Sequence, residues 1–548
     1  MKSKKIICLL ILLVCCSFYV FSNFQINQYA SISPIKESYD NLKFTFFIDD
    51  MLALNIPEKG AGQVFDEEKS YCTDAEIKWD YEEWGPTIIG ANKTKNKCFF
   101  YFKTQYSETL LNGTDPVLKG SLIPVTIAGD GTVTKADTGS EWYNYGNKQW
   151  ANAVILNDES IFYNAGDVIS ESNIESYFVW IPRYRYQIFN TGEYEGVDET
   201  VKTSPTLNST QIINIEFENK NQIPSNGTQV GEWLSHPAFR AFDVNGMWVG
   251  KFETGTTLTS DFNVRNGGAV QVKPNVESWR NIQVANAFYT SYDYKRELES
   301  HMMKNTEWGA VAYLTWSNYG LGLTDIRINS NSDYKTGHAA VNAPTCNYTG
   351  ACESCHSCGI TQAYNTATGY MASTAGNISG VYDMSGGTWE YVMGVMLDPD
   401  GNLVSGKNND KNSNFVGTLT YPDDGSDTSK ISWTASDGGV EWPDKRYYDT
   451  YSYTTHSFPT SSFKYYKRIL GDATGELGPH EKVGYSSRYV SVLSSWYADE
   501  AFLTDAANPW LGRGGNYNYG LDAGLGAFSP DKGQANTWFG FRLVLSPQ

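Results

Sequence analysis

Apolar positions along this chain fall into short runs of strand period far more often than into helical stripes. Residues 75–79 (Ala-Glu-Ile-Lys-Trp) alternate, and 98–102 (Cys-Phe-Phe-Tyr-Phe) are aromatic strand material. Residues 122–134 set two apolar arms about Gly129-Asp130-Gly131, the pattern of a hairpin. Residues 177–181 form a continuous apolar run closed by Pro182, and 248–254 predict the next strand. Helical spacing is clearest over 304–319. There Trp308, Val311, Ala312, Thr315 and Tyr319 share one face, Asn305 or Thr306 can cap the start, and Gly320 can end it. That stripe predicts core packing.

Two polar stretches interrupt the pattern. Residues 190–235 predict an excursion between strands, and 400–465 a surface insertion. Asp398 to Asn402 lie between apolar arms and predict a hairpin turn. An EF-hand loop would need Gly at its sixth place and Glu at its twelfth, where Leu403 and Asn409 stand.

The chain ends differently. Gly514-Gly515 allow a turn that a Cβ would obstruct, and 541–545 (Phe-Arg-Leu-Val-Leu) predict a buried closing strand. The stretch between is rich in Asn, Tyr, Trp and Gly, without a period. Long loops held at both ends usually carry function, and rigid rings mixed with amides suit a recognition surface.

Composition sharpens this. A chain of 548 residues suffices for two or three domains, and 50 glycines with 14% aromatic residues favour a β-rich, loop-rich architecture. A net charge of −19 argues against nucleic acid and anionic membrane surfaces as partners. Lys2, Lys4 and Lys5 precede an uncharged run over 6–21, so residues 1–22 predict an export signal or an N-terminal membrane anchor. The expected location is secreted or cell-surface. Residues 23–54 follow as a connector, 55–160 as a disulfide-stapled β-module, and 170–548 as the main domain. Beyond the leader stand Cys72, Cys98, Cys346, Cys352, Cys355 and Cys358. Export favours disulfides, with Cys72–Cys98 stapling the β-module. At the 346–358 cluster, where His356 also stands, two bridges or a zinc site remain open.

Hydrolytic motifs are absent: the chain has no Gly-x-Ser-x-Gly and no His-Glu-x-x-His. Ser461-Ser-Phe-Lys464 follows Lys335-Thr-Gly337, the reverse of the β-lactamase order. Five segments in order carry a resemblance instead. They are Trp248-Val-Gly-Lys-Phe-Glu-Thr254, the stretch 276–281 with Ser278-Trp279, Thr306-Glu307-Trp308, the stretch 377–391 with Val381-Tyr-Asp-Met-Ser-Gly-Gly-Thr-Trp-Glu390, and Arg513-Gly514-Gly515 with Gly540-Phe541-Arg542. Across 176–548 they resemble the formylglycine-generating enzyme (sulfatase-modifying factor) family. The resemblance implies an α+β fold: a C-type-lectin-like domain, here preceded by the small all-β module.

The chain also departs from that family. Its oxidising members carry two copper-binding cysteines between the last two elements, and 513–542 contain none. No catalytic residue and no copper therefore carry over. Gly387 replaces an Asn that helps hold calcium in the family, which leaves Glu390 with backbone carbonyls as a candidate calcium ligand. The resemblance then implies a non-catalytic ligand-binding branch, such as the variable proteins of diversity-generating retroelements. The expected site comprises Asn516, Tyr517, Asn518, Tyr519, Leu521, Asp522, Phe528, Asp531, Asn536 and Trp538, with Tyr517, Tyr519, Phe528 and Trp538 as anchors. The positions expected to vary are Tyr517, Tyr519, Leu521, Asp522, Leu525, Phe528, Ser529, Asp531, Thr537 and Trp538. The expected ligand is a protein or glycan on another cell or virus. An enzyme of the superfamily with altered chemistry, or a structural surface component, are the alternatives.

Overall fold

A computed structural model describes residues 110, 112–189, 212–341, 360–397, 440–451, 469–474, 476, 499–504 and 508–548, with isolated strands and bridges outside these ranges. The chain divides into two compact units, Met1–Glu108 and Thr109–Gln548. The leader and Cys346, Cys352, Cys355 and Cys358 lie outside the described residues.

In the first unit, the strands expected at 75–79 and 98–102 form at Glu76–Lys78 and at Cys98–Phe100 with Phe102–Thr104. Cys98–Phe100 lies between Lys43–Thr45 and Tyr71–Cys72, and the register makes Cys72 and Cys98 direct partners. Antiparallel partners stand about 4.5–5.5 Å apart at Cα, within the span of a disulfide.

The second unit is mostly sheet with two α-helices among the described residues, an α+β fold. Its largest sheet has eight strands: Val168–Ile169, Val133–Lys135, Ile123–Ile127, Asn152–Leu156, Ile174–Pro182, Gly246–Gly250, Leu543–Leu545 and Ser300–Met302, each antiparallel to its neighbour. The hairpin expected around 129–131 is present, with Ile127 opposite Val133. The expected module end at 160 is corrected. Ile123–Ile127 and Asn152–Leu156 lie in the same sheet as Ile174–Pro182, so the boundary falls after Glu108. The strand expected over 248–254 stops at Gly250, and Lys251 leaves the sheet to place its Nζ on Asn152 Oδ1 and the carbonyls of Ile378 and Gly380.

The helix expected at 304–319 spans Asn305–Thr315. Asn305 and Thr306 are not its cap. Glu307 Oε2 accepts the Lys304 N–H at 2.8 Å, and Asp449 Oδ2 accepts the Thr306 N–H at 2.8 Å. Carboxylates at a helix start meet both its orphan donors and its dipole. All eleven residues are buried, so the helix is core on every side rather than along one stripe, and Tyr319 lies beyond it. The other helix, Val284–Tyr294, had no counterpart in the sequence expectations.

A second sheet runs Asp449–Tyr451, Trp389–Met396, Trp510–Gly514, Gly524–Asp531, with Phe539–Phe541 parallel to Trp389–Tyr391. The closing strand is thus two strands in two sheets, hinged at Arg542. The surface insertion expected over 400–465 also changes character where it is described. Phe415 stacks on Trp442 at 4.5 Å and on Trp510 at 5.7 Å, all three buried. Leu397 pairs with Leu403, consistent with the hairpin expected between them.

Candidate functional site

The loops on either side of Gly524–Asp531 supply the most exposed aromatic surface near the predicted site. After Trp510–Gly514 the backbone turns at Gly514 (φ 86°) and Gly515 (φ 75°). A Cβ on Gly515 would lie 2.6 Å from Ala523, so the turn requires glycine. Tyr517 then anchors its N–H on the Gly387 carbonyl at 2.9 Å.

Trp538, 43% exposed, stacks on the half-buried Tyr517 with centroids 6.5 Å apart and planes at 18°. Tyr517 meets Tyr334 edge-on at 4.8 Å. The Arg280 guanidinium lies 3.8 Å over the Tyr334 ring, and its Nη1 donates to the Thr537 carbonyl at 3.1 Å. Glu277 Oε2 sits 3.7 Å from Arg280 Nη2. Burial first, then Tyr517, push the Tyr334 hydroxyl up to about 12, so it stays neutral. Tyr334 has φ 55°, a costly conformation for an aromatic residue, which points to a constraint on its ring position.

The expected site residues divide between this surface and its supports. Tyr517, Asn518 and Trp538 reach the outside. Tyr519 packs edge-on against Trp389 at 5.3 Å. Asn516 is buried and its Oδ1 accepts the Asn518 N–H at 3.2 Å. Asp522 contributes its carbonyl to the Glu500 N–H at 2.8 Å; the Leu521 side chain lies outside the described ones. Asp531 holds the Tyr391 hydroxyl and the Gly533 N–H. Asn536 Oδ1 accepts the N–H groups of Trp538 and Phe539 at 2.8 and 3.1 Å, which fixes the path of the loop into the strand.

Phe528 is the clear correction. It is fully buried, with the Arg513 guanidinium 5.5 Å over its ring and Trp308 on that guanidinium's other contact at 5.5 Å. It cannot serve as an exposed anchor; Leu525, 1% exposed, is core as well. Arg280 and Tyr334 were missed. Arg280 follows directly on the Ser278-Trp279 segment, but nothing local marks Tyr334, which is buried behind Tyr517 next to the bridge between Glu277 and Lys335.

Below the aromatic surface lies a buried acidic cluster. Glu253 Oε1 accepts the Thr388 N–H at 2.8 Å, and its Oε2 faces Ser278 Oγ. Asp383 accepts from Gly337 N–H and Asn329 Nδ2, each at 2.9 Å. Glu390 has Arg542 Nε on one oxygen at 2.9 Å and Nη2 on the other. Glu390, the candidate calcium ligand, is thus held in a forked ion pair, and among the described residues no three His, Cys, Asp or Glu side chains form a group that could hold a metal ion. Burial pushes Glu390 up to about 7 against the pull of Arg542, and raises Asp383 as well. A half-open cavity of about 240 Å³ lies elsewhere, lined by Asn214, Glu216, Trp233, Asn318 and Tyr319 among others. No family model matches this chain, and no curated protein is significantly similar to it.

Proposed function

We propose that this protein is an exported or cell-surface binding protein that presents Trp538, Tyr517 and Arg280, with Tyr334 buried behind them, to a protein or glycan partner. In this reading its second unit is a C-type-lectin-like domain of the sulfatase-modifying type, in a non-catalytic branch. The carrying observation is the exposed Trp538–Tyr517 stack, backed by Tyr334 and Arg280. Aromatic rings give large contact area at low entropy cost, and a surface fixed by Gly387, Asn536 and Arg280 is ordered before its partner arrives. The lack of cysteine over 513–542 supports a binding role over oxidative chemistry.

The test compares labelled wild-type protein with the double variant Tyr517→Ala, Trp538→Ala on glycan arrays and on intact microbial cells. Binding by the wild type that the double variant loses, with its melting temperature kept, is the expected result. Equal binding by both proteins would remove this surface as the site.

A further inference from the structure

We propose that Glu253 is a positioning residue of the Tyr517–Trp538 surface and of its buried support Tyr334, held as a neutral carboxylic acid, and that its ionisation unlatches that surface. The binding role of the surface rests on the reading above; the latch does not.

The argument begins with one proton. Ser278 Oγ lies against Glu253 Oε2 and 3.2 Å from the Tyr334 carbonyl. A serine hydroxyl has a single hydrogen and cannot donate to both. If Glu253 is protonated, its O–H donates to Ser278 Oγ and the Ser278 O–H donates onward to the Tyr334 carbonyl. Every group is then satisfied. An ionised Glu253 would draw the serine proton to itself and leave the Tyr334 carbonyl with the Ser278 N–H at 3.1 Å alone.

The charges around Glu253 favour the neutral form. Asp383 and Glu390 share its buried surroundings, and the cation among them, Arg542, spends Nε and Nη2 on Glu390 and Nη1 on the Gly250 carbonyl. Among the described residues no cation is hydrogen-bonded to Glu253. Lys251 points to Asn152 and two carbonyls, and Arg280 sits over the Tyr334 ring. Burial, then Glu390 and Asp383, raise the Glu253 carboxyl well above its ordinary range.

Both arms of this carboxyl reach the surface. On the Oε1 side, Thr388 is fixed through its N–H, and Gly387 (φ 71°) is packed so closely that a Cβ would stand 2.4 Å from Oε1. The Gly387 carbonyl holds the Tyr517 N–H, and the Trp389 N–H holds the Trp538 carbonyl, both at 2.9 Å. On the Oε2 side, Ser278 holds Tyr334 and lies two residues before Arg280. One acid thus ties together the two supports of the aromatic stack.

The sign follows from linkage. A carboxyl whose folded pKa is raised contributes stability that is complete below its unfolded value and is lost as pH rises through the folded value. Glu253→Gln has the same shape, an N–H for Ser278 and an oxygen for the Thr388 N–H, but no charge. The experiment follows melting temperature and hydrogen exchange of 514–520 and 534–540, corrected for intrinsic rate, from about pH 5 to about pH 9. Wild type is expected to loosen at these segments by about tenfold or more across that range, and Glu253→Gln to stay protected throughout. A variant as loose at about pH 5 as wild type is at about pH 9, or one keeping the full wild-type pH response, would overturn the latch. Should Glu253→Gln not fold, Ser278→Ala provides the second arm. It should show the alkaline looseness of wild type already at acid pH, and unchanged protection there would count against the relay. Neither readout uses a ligand, so failure here leaves the binding proposal standing, and the reverse.

Discussion

Arg542 grips Glu390 with both Nε and Nη2, and each side chain is wholly buried. The pair sits where the chain passes from Phe539–Phe541 in one sheet to Leu543–Leu545 in the other. Arg542 Nη1 also reaches the Gly250 carbonyl at 2.8 Å, so one guanidinium joins strands from both sheets. Removing it strands Glu390 beside Asp383 and Glu253 in the interior. Arg542→Met is expected to cost about 3–5 kcal/mol, the usual penalty for leaving one partner of a buried pair. Urea denaturation measures it, and a loss below about 1 kcal/mol would show that the pair does not hold the sheets together.

The first unit offers a covalent test. With Cys72 and Cys98 paired in strand register, peptide mapping of non-reduced protein should recover 72 and 98 as one linked species. Cys72→Ser is expected to cost that unit about 3 kcal/mol by loop closure. Free thiols at both positions in protein purified from an oxidising compartment would refute the staple.

How much of this was legible beforehand depended on whether local pattern decides the outcome. The apolar run ending at Pro182 and the hairpin about 129–131 announced themselves, since each strand's neighbour or turn lies close in sequence. The cap of Asn305–Thr315 did not, because half of it comes from Asp449, over a hundred residues away. Phe528 misled for a related reason. An aromatic residue in an Asn- and Gly-rich stretch looks like a surface anchor, and only the cation stacked on it, Arg513, reveals a core position. The insertion over 400–465 failed likewise: its polar composition hid Phe415 and Trp442, which complete the packing around Trp510. Tyr334 carries no local signal at all.

Two other buried groups predict opposite pH limbs. His236 is fully buried, and burial pushes it down to about 3 against the opposing pull of the Gly471 backbone. Its folded pKa is depressed, so its contribution is present above the unfolded value of about 6.5 and is lost as pH falls toward 3. Glu476 accepts the hydroxyls of Tyr186 and Tyr313 at 2.7 and 2.8 Å, and burial raises it to about 8. Its contribution is complete below about 4.5 and lost as pH rises through 8. His236→Gln should flatten the acid limb of a stability profile and Glu476→Gln the alkaline limb. Profiles parallel to wild type would show that these groups titrate normally.

The last prediction concerns variation in the gene. If the C-terminal loop is diversified, substitutions across cells of one population should cluster between 513 and 540, at adenine-derived codons. The structure narrows the set further. Tyr517, Asn518, Thr537 and Trp538 reach solvent and can change at little cost to the fold. Phe528 and Leu525 are buried, and replacing either with a small residue would cost about 2–5 kcal/mol. Asn516 and Asn536 hold the turn at 516–518 and the entry to Phe539–Phe541 through their side-chain oxygens. Gly515 has no room for a Cβ beside Ala523. Variation is therefore expected at the first group and absent from the second, a pattern sharper than loop against strand. Deep sequencing of the locus decides it. Substitutions spread evenly over buried and exposed positions, or along the whole chain, would remove the diversification reading while leaving the fold untouched. Variation confined to Tyr517, Asn518, Thr537 and Trp538 would mark the same surface that the stacked rings do, by a route independent of any binding assay.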